Sequence, residues 1–340
     1  MAARLTELKP LWTADAGDFV AALAWSPSGD RIAVAAGEAP VRVLDARDGR
    51  TLHELTGHGM GAMAVSFSAD GALLATSGQD GKARIHDAAT GALRATLDHG
   101  RAWVTRASFA PDRPVLATAA GKGVRLWSAD GSLIVERPHE QVVEDIHWYR
   151  GGRLLATAVR GGLAIYDGDA ATPSTGFRMQ DAALCVVRWS PRGNAIAAGS
   201  QEGMLYAWNF MGEDDDVQAG PHATKLREMA WSGDGRYLVT GGGPKPALWD
   251  FGLKGLAEVG AVFFAGHTDR VTAIEFVRQG HRLATCGADG RVFLYDARKP
   301  PLPAAGWVAD GPCTTLAWRP NDRTFAVGHE DGKVVLLPGG

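Results

Sequence analysis

Histidine, cysteine and the carboxylates are the side chains from which hydrolytic, redox and metal chemistry is built. This chain of 340 residues carries ten histidines and three cysteines, but not in the common catalytic spacings. There is no Gly-x-Ser-x-Gly elbow, no His-Glu-x-x-His pair, no glycine-rich phosphate loop ending in Gly-Lys-Ser/Thr and no paired-cysteine zinc motif. Cys185, Cys286 and Cys313 are scattered and form neither a CxxC motif nor a disulfide framework. Gly241, Gly242 and Gly243 sit between two strand-like runs and read as a shortened hairpin turn rather than a phosphate loop. Five histidines, His58, His99, His139, His222 and His267, recur at related places, each just ahead of a strand-like run. That recurrence makes them features of a repeat before it makes them ligands.

The elements that must position these residues follow from a recurring aromatic. Trp25, Phe67, Phe109, Trp148, Trp189, Trp231, Phe276 and Trp318 stand 39 to 45 residues apart. A period near forty that fills the chain is the mark of a propeller or solenoid array. The second copy is the cleanest. Strand-like runs at 62–67, 73–77, 83–87 and 92–97 are separated by Asp70-Gly71, Asp80-Gly81 and Thr90-Gly91. Asp-Gly is a strong hairpin signal, because glycine supplies the positive φ such turns demand. Each unit is thus about four antiparallel strands, one propeller blade. The third strand ends 18 or 19 residues after each anchor, at Leu44, His86, Trp127, Tyr166, Trp208, Trp249, Tyr295 and Leu337.

The pattern resembles the WD-repeat proteins, and in particular stand-alone propellers of the bacterial type. Gly57-His58 and Gly266-His267 match the family's Gly-His element, and Trp249-Asp250 is its intact Trp-Asp dipeptide. Leu44-Asp45, His86-Asp87, Tyr166-Asp167 and Tyr295-Asp296 are degenerate forms. The eight anchors imply an all-β, eight-bladed propeller, and the family's commoner seven blades are the alternative. The resemblance implies structural hydrogen-bond sets of His, Ser/Thr, Asp and Trp. By spacing, His58, Thr76, Asp80 and His86 take those places in one blade, and His267, Thr285, Asp289 and Tyr295 in another. Elsewhere Glu202 replaces the Asp, or Gly121, Arg160 and Gly243 fall in shortened turns. Rigid sets are therefore expected in at most two blades. Equivalent histidines of neighbouring blades should stand about 10 Å or more apart. Metal coordination needs about 2 to 2.6 Å, so no metal site or other cofactor is expected.

Residues four and six before the anchor open the first strand at the narrow mouth, where the family often contacts partners. In this chain Phe19, Met63 and Trp103 make an apolar arc over the first three blades. Lys225, Arg227 and Arg270 make a basic arc over the sixth and seventh, with Glu144 and Cys185 between them. Such arcs suit an apolar side chain of a partner beside an acidic group. Cys185 has no histidine at adjacent mouth positions to activate it.

Trp318 is followed by 22 residues, enough for two more strands but not a third. Residues 5–13, near 9–13, are expected to supply the missing outer strand and close the ring, so that residues 1–340 form one propeller. Three segments depart from the repeat: the acidic run Glu213 to Asp216, the proline-rich connector Lys299 to Pro303, and an insertion at 251–257 before an apolar outer strand at 260–265. The formal net charge of −3 offers nothing to nucleic acid or a membrane. No apolar run has signal-peptide or membrane-span length, so a cytoplasmic protein is expected. The leading expectation is a non-enzymatic scaffold that binds an unidentified protein or peptide at its narrow mouth. The alternatives are a propeller enzyme with a central-channel site, or an accessory protein in bacterial metal homeostasis.

Overall fold

The computed structural model describes residues 5–55, 57–168, 182–209, 217–220, 222–252 and 260–340. Among them there are only strands and turns, gathered into eight separate sheets. The second blade is Ala62–Phe67, Leu73–Gly78, Lys82–Asp87 and Leu93–Asp98, paired in sequence order. The fourth blade has three described strands, Val143–Trp148, Leu154–Val159 and Gly162–Asp167.

First strands of neighbouring blades pack against one another around the whole circle, from Val20–Trp25 to Cys313–Trp318 and back. Eight core clusters result, one at each blade-to-blade interface. One joins the last blade to the first through Ala326, Val334 and Leu336 against Val20, Ile32 and Val34. The core is therefore a ring of face-to-face sheet contacts. This is why the second strands are small and apolar at nearly every position. Leu73–Gly78 and Ala195–Ser200 are buried throughout, because a blade covers each face. Outer strands are more open: in Leu133–Pro138 only Val135 and Arg137 are partly buried and the rest are exposed.

The N-terminal segment closes the ring, with its strand two to three residues later than expected. Trp12–Asp15, which shares Trp12 and Thr13 with the expected 9–13, pairs antiparallel with Lys333–Pro338 as the outer strand of the eighth blade. Thr6–Glu7 goes instead to the seventh blade, parallel to Ala305 and Gly306 on its outer strand. Leu8, between the two, is 4% exposed and sits in the cluster shared by both blades. Counting from the repeat assigns one strand to one sheet edge, whereas the segment straps two. Gly306 permits the approach: a Cβ there would meet Phe293 at 2.8 Å and Leu5 at 3.2 Å.

The acidic run at 213–216 and residues 253–257 of the expected insertion lie outside the described residues. The outer strand that follows is Ala261–Phe263, with Val262 and Phe263 exposed and Phe264 buried. Lys299 to Pro303 is a connector pinned to the sixth blade, where Ala265 N–H donates to the Pro301 carbonyl at 3.0 Å. Gly241 to Gly243 forms the turn between the second and third strands of the sixth blade, as the spacing implies.

Candidate functional site

Position minus four has a structural cause. In seven blades the pairing of first with second strand slips by one residue near its start, between Val20 and Ala22, Ala62 and Ala64, and at the equivalent places. The residue skipped is always the one four before the anchor: Ala21, Met63, Thr105, Glu144, Cys185, Thr272 or Thr314. A bulge leaves its extra residue out of the ladder and re-aims the side chain. The sixth blade lacks the slip, since its first strand is only Met229–Trp231 and Arg227 precedes it.

Above this ring of bulges, Phe19 and Trp103 are 43% and 50% exposed, and Lys225, Arg227 and Arg270 are exposed too. Met63 and Glu144 are partly buried and Cys185 is buried. The two arcs are not wholly separate. Arg227 reaches across the fifth blade to pair with Glu144 at 3.8 Å. Burial pushes the Cys185 thiol up to about 11, with Arg227 and Glu144 acting on it in opposite senses. Phe19 and Arg270 share a depression of about 310 Å³ with Glu228, Pro312 and Glu330. Burial raises the Glu228 carboxyl, and the Arg270 charge opposes that rise. Val142, 47% exposed, stands six before its anchor and extends the apolar part of the rim. Glu330 escaped the repeat-based reading because it lies on the turn between second and third strands. Its signal is a fixed place twelve after the anchor.

The structural sets divide into two kinds. His58 holds Thr76 Oγ1 at 2.8 Å through Nε2 and Asp80 at 3.0 Å through Nδ1, with Arg84 2.9 Å from the same carboxylate. His267 accepts from the Thr285 hydroxyl at 2.8 Å and donates from Nδ1 to Asp289 at 3.1 Å. His86 stands apart from its triad, its buried Nδ1 without a partner among the described residues. The Tyr295 hydroxyl stays linked to Thr285 and donates to the Ala265 carbonyl at 2.8 Å. Two other blades keep the Trp and lack the Asp. Trp127 Nε1–H donates to Thr118 Oγ1 at 2.8 Å, which lies 3.0 Å from His99. Trp249 Nε1–H donates to Thr240 Oγ1 at 3.0 Å, with His222 at 3.4 Å. Each of these four blades thus has either the turn-ordering Asp or the sheet-ordering Trp. Burial lowers all four histidines, His99 to about 4. They are neutral hydrogen-bonding groups at neutral pH.

A second polar network joins three blades. Asp145, 3% exposed, accepts from Arg106 Nε at 2.8 Å, from Arg188 Nη1 and from the Val187 backbone N–H at 3.1 Å. Burial opposes its charge, but the two guanidiniums win and hold the carboxyl down at about 2. Among the described residues no three of His, Cys, Asp and Glu converge as a metal set.

Comparison with known proteins agrees with this architecture. The family model for the WD domain, G-beta repeat, matches residues 49–87, 91–128 and 260–296. That of the anaphase-promoting complex subunit 4 WD40 domain matches residues 1–63. WD repeat-containing protein 1 of Gallus gallus is 26% identical over 200 residues, covering 44% of this chain and a third (33%) of its own length. The chain therefore corresponds to a minor part of such curated relatives. Among solved structures, Sqt1 of Chaetomium thermophilum superposes with a TM-score of 0.85 at 19% identity, covering 98% of both chains. Sqt1 bound to the N-terminus of the ribosomal protein L10 superposes at 0.83 with 20% identity, covering 98% of this chain and 100% of that one. At such identities the likeness is one of fold.

Proposed function

The chain is a WD-repeat β-propeller, and from that premise we propose that it is a non-enzymatic scaffold that holds a protein or peptide at its narrow mouth. One observation carries the reading. Phe19 and Trp103 stand exposed on the same rim as Lys225, Arg227 and Arg270, over a ring of bulged first-strand residues. Exposed apolar side chains rimmed by polar ones mark interaction surfaces, and aromatic and arginine residues dominate binding hot spots. The likeness to Sqt1, solved with a ribosomal-protein N-terminus bound, supports a peptide-like partner.

The bound segment would lay an apolar side chain against Trp103 and Phe19 and an acidic group towards Arg270 and Lys225. Arg227 is held by Glu144 in the free protein and would exchange that partner for the ligand. The rival reading, a catalytic channel, needs converging carboxylates or histidines; at the mouth Glu144 is paired and Cys185 is an unreactive, buried thiol.

Affinity capture with the wild type, Trp103→Ala, Arg227→Glu and the outer-strand control Leu133→Ala tests the proposal. A partner held by the wild type and the control, and lost with both mouth variants, supports it. A partner that survives both mouth substitutions refutes the choice of face.

A further inference from the structure

At the end of the channel opposite the mouth, the residue just before each anchor closes the first strand. In five of the eight blades it is Ala or Ser; in the other three it is His147, Arg188 and Glu275. The small side chains leave a cavity of about 540 Å³, floored by Met229, Trp231, Ile274 and Leu316. It shares His147, Arg188, Pro191 and Trp231 with an adjoining recess of about 420 Å³. These volumes fall in the range of small-molecule sites.

The polar groups are only half explained by packing. His147 Nδ1 accepts the Trp189 backbone N–H at 3.2 Å, which places its proton on Nε2. Burial keeps the ring neutral, so His147 offers a single N–H donor. Arg188 uses Nη1 for Asp145 and for the Val187 carbonyl; Nε and Nη2 make no hydrogen bond among the described residues. Arg106 and Arg188 share one carboxylate, leaving that wall with one positive charge in excess. Across the cavity, Glu275 Oε2 accepts the Trp318 backbone N–H at 2.8 Å, so one of its oxygens is engaged in joining two blades. An apolar floor, a neutral N–H donor and a cation with unused donors are what a carboxylate with an apolar body requires.

We propose that this end of the channel is a second binding site, separate from the mouth, for a molecule that joins a carboxylate to an apolar chain. The carboxylate meets Arg188 and His147, and the chain lies against Trp231 and Met229. A free carboxylic acid and the C-terminus of a peptide share this chemistry.

Calorimetric titration of the full chain with octanoate, octanol and octylamine tests the site, alongside a trileucine peptide with a free or an amidated C-terminus. Octanoate or the free-ended peptide should bind, octanol and the amidated peptide at least about tenfold more weakly, and octylamine not at all. Whichever carboxylate binds more tightly identifies the source. Arg188→Met should weaken binding about tenfold or more. Because that variant also disturbs Asp145, Ala230→Phe, which fills the cavity without touching the network, should abolish binding while the fold is retained. Failure of both carboxylates to bind at millimolar concentration, equal binding of octanol, or undiminished binding in Ala230→Phe would overturn the proposal.

Discussion

Asp145→Asn tests how far a buried ion network holds the ring. The carboxylate is 3% exposed and ties the third, fourth and fifth blades together through Arg106, Arg188 and the Val187 N–H. Its pKa falls from an ordinary 3.8 to about 2 in the folded chain, which corresponds to about 2.5 kcal/mol of stability at neutral pH. Asparagine keeps the shape and one acceptor, but turns a donor towards one guanidinium and leaves both cations without a counter-charge. Truncating one member of a buried ion group costs about 3 to 5 kcal/mol. Arg106 and Arg188 are each about a third exposed, at 39% and 31%, and water moderates the loss. The expected loss is about 2.5 kcal/mol, read as a lower urea midpoint at pH 7. The sign of the pH dependence is fixed: a depressed carboxyl stabilises above its unfolded value and loses that contribution as pH falls through its folded one. The difference between variant and wild type should hold from pH 7 to 5 and shrink below 4. A variant within about 0.5 kcal/mol of wild type at pH 7, the ordinary scatter of a surface substitution, would refute the reasoning.

Other expectations follow from the same structure. Removing residues 1–16 takes away the Trp12–Asp15 outer strand and buried Leu8. Leu8 alone accounts for about 2 kcal/mol of burial, so the truncated chain should melt lower and aggregate through the bared edge; an unchanged melting curve would contradict the strap. Burial lowers His86 and His99 to about 4 and His147 to about 3. Their stabilisation is full above pH 6.5 and drains as pH falls towards 4, so urea midpoints should fall over that window. Glu275 works in the opposite sense, because burial lifts it from 4.5 to about 7 and its charging weakens the fold as pH rises through that interval. Glu275→Gln should therefore be more stable than wild type at pH 8, by at most about 3 kcal/mol, and equal to it near pH 4. The three cysteines are buried, with Cys185 raised to about 11, so a thiol reagent should label them only on unfolding; rapid labelling of native protein would show the interior to be open.

The anchors and Asp-Gly turns made the blades legible because a hairpin is a local event. In the second blade the expected strands lie within one residue of the observed ones. The strap was only partly legible: the repeat implies a missing outer strand, but nothing local says that Thr6 and Glu7 pair with a different blade from Trp12. The cross-blade contacts were hidden for the same reason. Arg227 and Glu144 are 83 positions apart and belong to the sixth and fourth blades, with the Cys185 of the fifth feeling both charges. The burial of Asp145 between two arginines goes with the bulge at Glu144, which shifts the register between Val143 and Asp145. The Trp-bearing sets around Thr118 and Thr240 were masked by the loss of their aspartates, although the His and Trp spacings were intact.

The mouth as the partner-holding face is tested most directly by placing a photo-crosslinking amino acid at Trp103, and separately at Leu133 on the outer strand of the same blade. Both side chains are half exposed, each at 50%, so accessibility alone does not separate them. Irradiation of cells producing each variant, followed by purification and mass measurement, should give a discrete adduct from position 103 and none from 133. A discrete adduct from 133 with none from 103 would contradict the account.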